Sequence, residues 1–130
     1  MSASQRTKGQ VGERELFALL SHELGIVVRR NVDQARNGGA DGIEIPGWAV
    51  EVKRQETNWK SAWWEQADAQ AQALGRKPIL FYRASRRPWC ATVSLYTLAP
   101  AIFPVRPLDG DAVAHLSFRD ACTLIRESLK

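Results

Sequence analysis

The sequence has little that would place it outside the cell or in a membrane. Its 130 residues include two cysteines, and no apolar run approaches the roughly 20 residues that span a bilayer. Residues 1–9 lack the apolar core of a signal peptide. Cys90 and Cys122 form no CxxC pair and have no histidine close by, so we expect buried thiols in a reducing compartment rather than a zinc or redox site. These absences predict a cytoplasmic protein that makes no membrane contact.

The sequence also has fewer acidic than basic residues. The chain carries 18 Lys and Arg against 14 Asp and Glu, a net charge of +4. Residues 1–90 hold 14 basic and 10 acidic side chains, whereas residues 91–130 hold 4 of each. The basic excess therefore lies in the N-terminal part. It suits a polyanionic partner such as DNA, although a solvated basic surface would give the same count.

The apolar pattern predicts one α/β domain over residues 1–130. Leu16, Phe17, Leu20 and Leu24 recur at helical spacing, which predicts a helix over 8–24 that Gly25 ends. The rest of the pattern predicts strands at 26–30, 41–46 and 48–54, a helix at 59–74, strands at 79–82 and 89–98, an edge strand at 113–118 and a last helix through 129. This order predicts a mixed β-sheet flanked by helices, with residues 99–130 as a variable C-terminal extension.

The two later helices carry local signals of their own. One face of the helix at 59–74 is marked by Trp59, Trp63, Ala67, Ala71 and Leu74. We expect Trp63 in the core; the alternative is that Trp59, Trp63 and Trp64 stack on nucleic-acid bases. Ser117 with Asp120 resembles a capping box for the last helix.

Asp41 and the run Glu51-Val52-Lys53 contain the candidate catalytic residues. Side chains alternate along a strand, so Glu51 and Lys53 share a face. Pro46-Gly47 is typical of a turn, and a hairpin with that turn would bring Asp41 alongside Glu51. Two carboxylates and an ammonium group can hold a hard divalent cation and orient a water molecule, which is what phosphodiester hydrolysis needs. The alternative is an exposed ion pair between Glu51 and Lys53, worth under about 1 kcal/mol.

The segment from Lys8 to Leu16 adds a resemblance to a known family. Lys8-Gly9 followed by Glu13-Arg14-Glu15 resembles the opening helix of archaeal-type Holliday junction resolvases. A strand, a glycine-containing loop, an Asp and a Glu-x-Lys follow, an arrangement similar to that of the PD-(D/E)XK nuclease superfamily. The resemblance covers residues 8–83. It implies a restriction-endonuclease-like α/β fold and a Mg²⁺-dependent phosphodiesterase activity, with Mn²⁺ as a substitute.

The resemblance also implies roles for single residues. Glu13 would be the helix carboxylate near the metal, Asp41 the bridging ligand and Glu51 the second ligand. Lys53 would position the attacking water and stabilise charge on the phosphate. For Glu13 the alternative is a solvated helix position, with Glu15 as a rival. Since Glu13 shares a helical face with the apolar residues, we expect it to point inward and Glu15 to face water.

Further side chains are candidates for contact with the substrate. Phosphate contacts are expected from Lys8, Arg14, Arg29, Arg30 and Arg36, with a solvated edge as the alternative. Gln66 resembles a helix glutamine that lies near the site in some exonuclease and recombination members of the superfamily. His22 and His115 have no ligand partner at a useful spacing and are expected to be structural.

Several substrates fit this sequence. Branched DNA is favoured by the resemblance to the resolvases, and a chain of this size would suit a homodimer with two sites related by a two-fold axis. The loop at residues 35–39 has no hydroxyl, whereas the resolvases often carry a serine there. A general or a flap- or end-directed PD-(D/E)XK nuclease of phage or mobile-element origin, and a non-catalytic DNA-binding protein that keeps the fold, therefore stay open as alternatives.

Overall fold

The computed structural model describes residues 3–25, 28–30, 42–103 and 112–130. Within them, four helices and six strands follow in chain order. The helices are α1 (Ala3–Leu24), α2 (Ser61–Leu74), α3 (Leu95–Leu98) and α4 (Phe118–Ser128). The strands are β1 (Arg29–Arg30), β2 (Ile43–Ile45), β3 (Trp48–Gln55), β4 (Lys77–Ala84), β5 (Cys90–Ser94) and β6 (Val113–Ser117).

The strands form one mixed sheet in the order β1-β2-β3-β4-β5-β6. β3 and β4 are parallel and are joined through α2, while every other neighbouring pair is antiparallel. A parallel pair needs a crossover connection, which α2 supplies, whereas the antiparallel neighbours need only turns or short loops. The predicted mixed sheet flanked by helices is confirmed.

One face of the sheet packs against α1 and α4 and carries the main apolar core. Trp48 and Val50 of β3 lie there with Leu16 and Leu20 of α1 and with Ile125 of α4. The Trp48 indole Nε1 donates a hydrogen bond to Ser128 Oγ at 2.9 Å, which ties the end of α4 to the start of β3. Because strand side chains alternate, Glu51 and Lys53 belong to the opposite face.

That opposite face is covered by α2. The buried tryptophan of this helix is Trp64, not Trp63 as expected. Trp64, Ala67 and Ala71 are buried, whereas Trp63 is half-buried and Leu74 is 42% exposed. The prediction of Trp63 in the core is wrong. The helix begins at Ser61 rather than at residue 59, and its buried stripe runs through positions 64, 67 and 71.

Several predicted boundaries differ from the structure. α1 begins at Ala3, five residues before the predicted start. The strand predicted over 89–98 ends at Ser94, because the Ser94 hydroxyl accepts a hydrogen bond from Thr97 N at 3.2 Å and starts α3. The strand predicted over 26–30 is limited to Arg29–Arg30 in the described residues, Val28 being buried without strand pairing and residues 26 and 27 lying outside them.

Turn and cap signals match their predictions. Gly47 follows Pro46 in the turn between β2 and β3 with φ of 82°, a left-handed conformation that favours glycine. Ser117 Oγ accepts a hydrogen bond from Asp120 N at 3.1 Å and caps α4. Arg86, in the turn after β4, has φ of 63°. It is the non-glycine residue with positive φ in the described ranges, and that conformation costs an L-residue roughly 1–2 kcal/mol.

Two further expectations concern thiols and membranes. Neither cysteine forms a disulfide; Cys122 is buried, as predicted, and Cys90 is half-buried. In the described part of the chain, no helix has both the length and the apolar character that a membrane crossing requires.

Candidate active site

Glu51 and Lys53 form the centre of the candidate site on β3. Glu51 is 5% exposed. Lys53 Nζ lies 3.6 Å from Glu51 Oε1, and the Lys53 side chain is 23% exposed. Removing a carboxylate from water costs several kcal/mol unless a cation or hydrogen bonds compensate. The pair is therefore not the exposed ion pair of the alternative interpretation: a buried carboxylate has a partly accessible ammonium group beside it.

The hairpin that contains Glu51 has the predicted turn, and its register, continued beyond the paired residues, places Gly42 rather than Asp41 opposite Glu51. Glu44 pairs with Ala49 and Ile45 pairs with Trp48 across the Pro46–Gly47 turn. β2 therefore runs back alongside β3 toward the level of Glu51, and the chain bends at buried Gly42 just before β2. Asp41, the predicted bridging ligand, lies outside the described residues. The structure thus places the strand that follows Asp41 and leaves the Asp41 carboxylate itself a prediction.

The two carboxylates of α1 differ in their surroundings. Glu13 is half-buried on the side of the helix that carries buried Leu16 and Leu20. Glu15 does not face water, so that prediction is wrong. Its Oε1 accepts hydrogen bonds from the Trp89 indole Nε1 at 2.8 Å and from Arg83 Nη1.

Glu15 is consequently a structural residue. Its carboxylate joins α1 to β4 through Arg83 and to the start of β5 through Trp89. Arg54 Nε of β3 lies 3.9 Å from its other oxygen. A carboxylate held by these cationic and indole donors is poorly suited to bind a metal ion, which leaves Glu13 as the α1 candidate. Because α1 packs on the face of the sheet opposite to Glu51, the place of Glu13 beside Glu51 stays a prediction.

Next to Lys53, the same face of the sheet carries a polar and aromatic cluster. Lys53 is level with Tyr82 in the parallel β3–β4 ladder. The Tyr82 hydroxyl lies 3.4 Å from His115 Nδ1, which Thr92 Oγ1 approaches to 2.9 Å. The Trp59 ring meets His115 edge-on, with centroids 4.9 Å apart. Burial is the main cause that raises the pKa of Tyr82, so its hydroxyl stays protonated.

Sequence reasoning missed this cluster, although part of a signal was present. His115 lies in the predicted edge strand, where it shares a face with Val113 and Ser117. The pairing of β6 with β5 makes this the face of Tyr82 and Lys53. What the sequence could not supply is the order of β4, β5 and β6 in the sheet. The expectation that His115 is structural agrees with its contacts.

The predicted substrate-contacting residues are distributed over several elements. Arg14 is exposed on α1, to which Lys8 also belongs. Arg29 and Arg30 form β1, the edge strand, where Arg29 pairs with Glu44. Arg36 lies outside the described residues.

Gln66 is exposed on α2, on the side away from the residues that pack on the sheet. The structure therefore does not bring it to Glu51. Gln70, one turn later, is half-buried, and its Oε1 is buried without a hydrogen-bond partner among the described residues.

The side chains around Glu51 bear on which metal ion could bind. Across the described ranges, no group of three or more His, Cys, Asp or Glu side chains could hold one. Asp41 lies outside those ranges, so the predicted pair of Asp41 with Glu51 is not part of that finding. Glu51 and the predicted ligand Asp41 supply hard oxygen donors. That chemistry fits Mg²⁺ or Mn²⁺ better than zinc.

Comparisons with known proteins agree with this arrangement. The family described as "Phage putative PDDEXK endonuclease" matches residues 4–103. Among solved structures, the Holliday junction resolvase Hjc of the archaeal hyperthermophile Archaeoglobus fulgidus is similar, with a TM-score of 0.53 and 14% identity. The match covers 87% of this chain and 97% of that chain. No curated protein matches the sequence. The restriction-endonuclease-like fold and the resemblance to this superfamily are confirmed.

Proposed function

The chain belongs to the phage PDDEXK endonuclease family, and we propose that it is a divalent-metal-dependent DNA endonuclease acting on branched DNA. The observation that carries this proposal is the placement of Glu51 and Lys53. They lie together on β3, the second strand of the hairpin, inside the region that matches the family. The carboxylate is buried and the ammonium group is partly accessible. Residues that bind a metal ion and stabilise charge on a phosphate need that combination.

The roles of the side chains follow from their chemistry. Asp41 and Glu51, with Glu13, would hold Mg²⁺, for which Mn²⁺ can substitute. The bound ion supplies Lewis acidity and lowers the pKa of a coordinated water. The Lys53 ammonium group, 3.6 Å from Glu51 Oε1, places positive charge where the phosphate becomes more negative in the transition state. Burial of Glu51 strengthens these interactions because water screens them less.

Branched DNA is favoured by two features. The similar solved structure is a Holliday junction resolvase, and the segment Lys8 to Leu16 resembles the opening helix of such enzymes. A homodimer would present two sites related by a two-fold axis, as cleavage of two strands of one junction requires. The family description names an endonuclease without a DNA structure, so the second candidate is a general nuclease or one directed at flaps or DNA ends.

Labelled four-way junction, flap, duplex and single-stranded DNA of equal length test the proposal. We expect cleavage with Mg²⁺ or Mn²⁺, none with EDTA, and the highest rate on the junction. A preference for flaps or ends would establish the second candidate instead. Binding of all four DNAs without cleavage under any metal condition would identify a non-catalytic DNA-binding protein. Sedimentation at working concentration tests the dimer.

A further inference from the structure

A polar cavity lies at the carboxyl ends of the two parallel strands. It has a volume of about 160 Å³ and is lined by Arg54, Gln55, Glu56, Ala84 and Ser85. This space is large enough for a phosphate group. The cavity begins one residue beyond Lys53 on the same strand.

Arg54 is fixed against the wall of this cavity. Gly12 of α1 lies so close that a Cβ built there would be 2.7 Å from Arg54 Cβ, so glycine lets the helix pack on this side chain. Arg54 Nε is buried, and among the described residues it has no hydrogen-bond partner. Glu15 Oε2, 3.9 Å from Nε, is within ion-pair range but beyond hydrogen-bond distance. Arg54 lines the cavity, so its guanidinium charge acts on whatever occupies that space.

The turn that follows β4 brings further positive charge to the same end. Arg86 and Arg87 are exposed. The turn is held by two hydrogen bonds, from Arg87 N to Ala84 O at 3.0 Å and from Arg83 Nε to Arg87 O at 2.9 Å. Arg83 is itself anchored by Glu15. The turn thus presents its two exposed arginines from a rigid base.

The conformation of Arg86 is informative as well. Its φ of 63° is one that glycine or asparagine adopts at less cost than arginine. A charged side chain at a strained position with no packing role suggests that the charge is needed there.

We propose that Arg54 and the Arg86–Arg87 turn form a phosphate-binding subsite for the DNA backbone beside the hydrolytic site. This inference rests on the proposed nuclease function and adds a contact surface to it. Lys53 and Arg54 are consecutive in β3 and point to opposite faces of the sheet. A DNA strand whose scissile phosphate lies at Lys53 would pass the end of the sheet, and a neighbouring phosphate would meet the subsite. Glu56, the acidic residue of the lining, opposes anion binding, so the affinity of the subsite for phosphate depends on the arginines.

The test compares two double variants that remove the same charge from opposite ends of β4. Arg86→Ala with Arg87→Ala removes the turn arginines. Arg76→Ala with Lys77→Ala is the matched control, because both residues are exposed and lie roughly 23 Å away along the strand. Fluorescence anisotropy with a labelled four-way junction, in EDTA so that no cleavage occurs, measures affinity over a range of salt concentrations.

We expect the turn variant to bind roughly tenfold more weakly and to lower the slope of log affinity against log salt by about one to two. The control should retain the wild-type affinity and slope. Arg86→Gly should also weaken binding, while its melting temperature stays equal to or above that of the wild type, because glycine relieves the strained φ.

Each result separates the subsite from the nuclease activity. Equal loss in the turn and control variants, or unchanged binding by Arg86→Gly, would overturn the subsite even if the wild type cleaves DNA. Selective loss in the turn variant would support the subsite even if no metal condition gave cleavage.

Discussion

Replacement of Glu15 by alanine should strongly destabilise the protein while sparing its chemistry. The change removes the acceptor of the Trp89 indole N–H and the partner of the Arg83 guanidinium group. Trp89 is 5% exposed, so its N–H would lose its acceptor in a largely dry environment at a cost of about 1–3 kcal/mol. Glu15 is 31% exposed, and the ion pair with Arg83 therefore adds no more than about 1 kcal/mol.

The sum, about 1–4 kcal/mol, corresponds to a melting temperature roughly 3–15 °C lower for a domain of this size. Differential scanning calorimetry or chemical denaturation measures it. Glu15→Gln should cost less than half as much, because the amide oxygen can still accept from Trp89. Glu65→Ala, an exposed glutamate on α2, is the matched control and should change stability by less than about 0.5 kcal/mol.

Activity below the melting transition separates the two carboxylates of α1. Glu15→Ala should retain DNA cleavage, whereas Glu13→Ala should lose it. The reasoning would be refuted if Glu15→Ala were as stable as the wild type, or if it were folded and inactive while Glu13→Ala cleaved normally.

Two other predictions concern a lysine and the thiols. Lys53→Ala should lower the cleavage rate by about 10²–10³-fold and should also lower the melting temperature, because buried Glu51 loses its counter-charge, while Lys60→Ala, which removes an exposed lysine, should have no effect; equal rates at a temperature where both variants are folded would remove Lys53 from the mechanism. Burial, with the nearby Glu23 carboxylate, raises the pKa of the Cys122 thiol to about 11. At mildly alkaline pH a disulfide reagent should therefore modify half-buried Cys90 in the folded protein and reach Cys122 only after denaturation; rapid reaction of both thiols in the folded protein would contradict this.

Features encoded by neighbouring residues were predictable from the sequence. The α1 periodicity, the Pro46–Gly47 turn and the Ser117 cap each depend on a few residues, and each matches the structure. The centre of the site was predictable for the same reason, because Glu51 and Lys53 are two residues apart and strand alternation fixes their relative position.

Features that depend on residues far apart in the chain were not predictable. Glu15 seemed to face water because its partners, Arg83 and Trp89, are 68 and 74 residues away. Trp63 and Trp64 both lie one turn before buried Ala67, at i−4 and i−3, so helical spacing alone could not decide which of them packs on the sheet. The end of β5 at Ser94 was missed because a serine cap competes with a β-branched run that otherwise continues the strand pattern.

The different packing on the two faces of the sheet explains why a small chain can hold a polar active site. The α1 face of the sheet carries most of the apolar core, which leaves room on the α2 face for the polar residues at the end of β3. Glu51 lies deep enough to be buried, and Lys53, two residues closer to the strand end, is partly accessible. Position along one strand thus sets the different burial of the two groups.

Cleavage of DNA by Glu51→Gln tests the central claim most directly. Glutamine keeps the shape of the buried side chain and removes the negative charge that would hold the metal ion. Measured on a labelled four-way junction with Mg²⁺, beside Glu65→Gln as a surface control, Glu51→Gln should not cleave. It should bind the same DNA as tightly as the wild type, or more tightly, because a carboxylate that repels phosphate is gone. Cleavage by Glu51→Gln at the rate of the wild type would contradict the account.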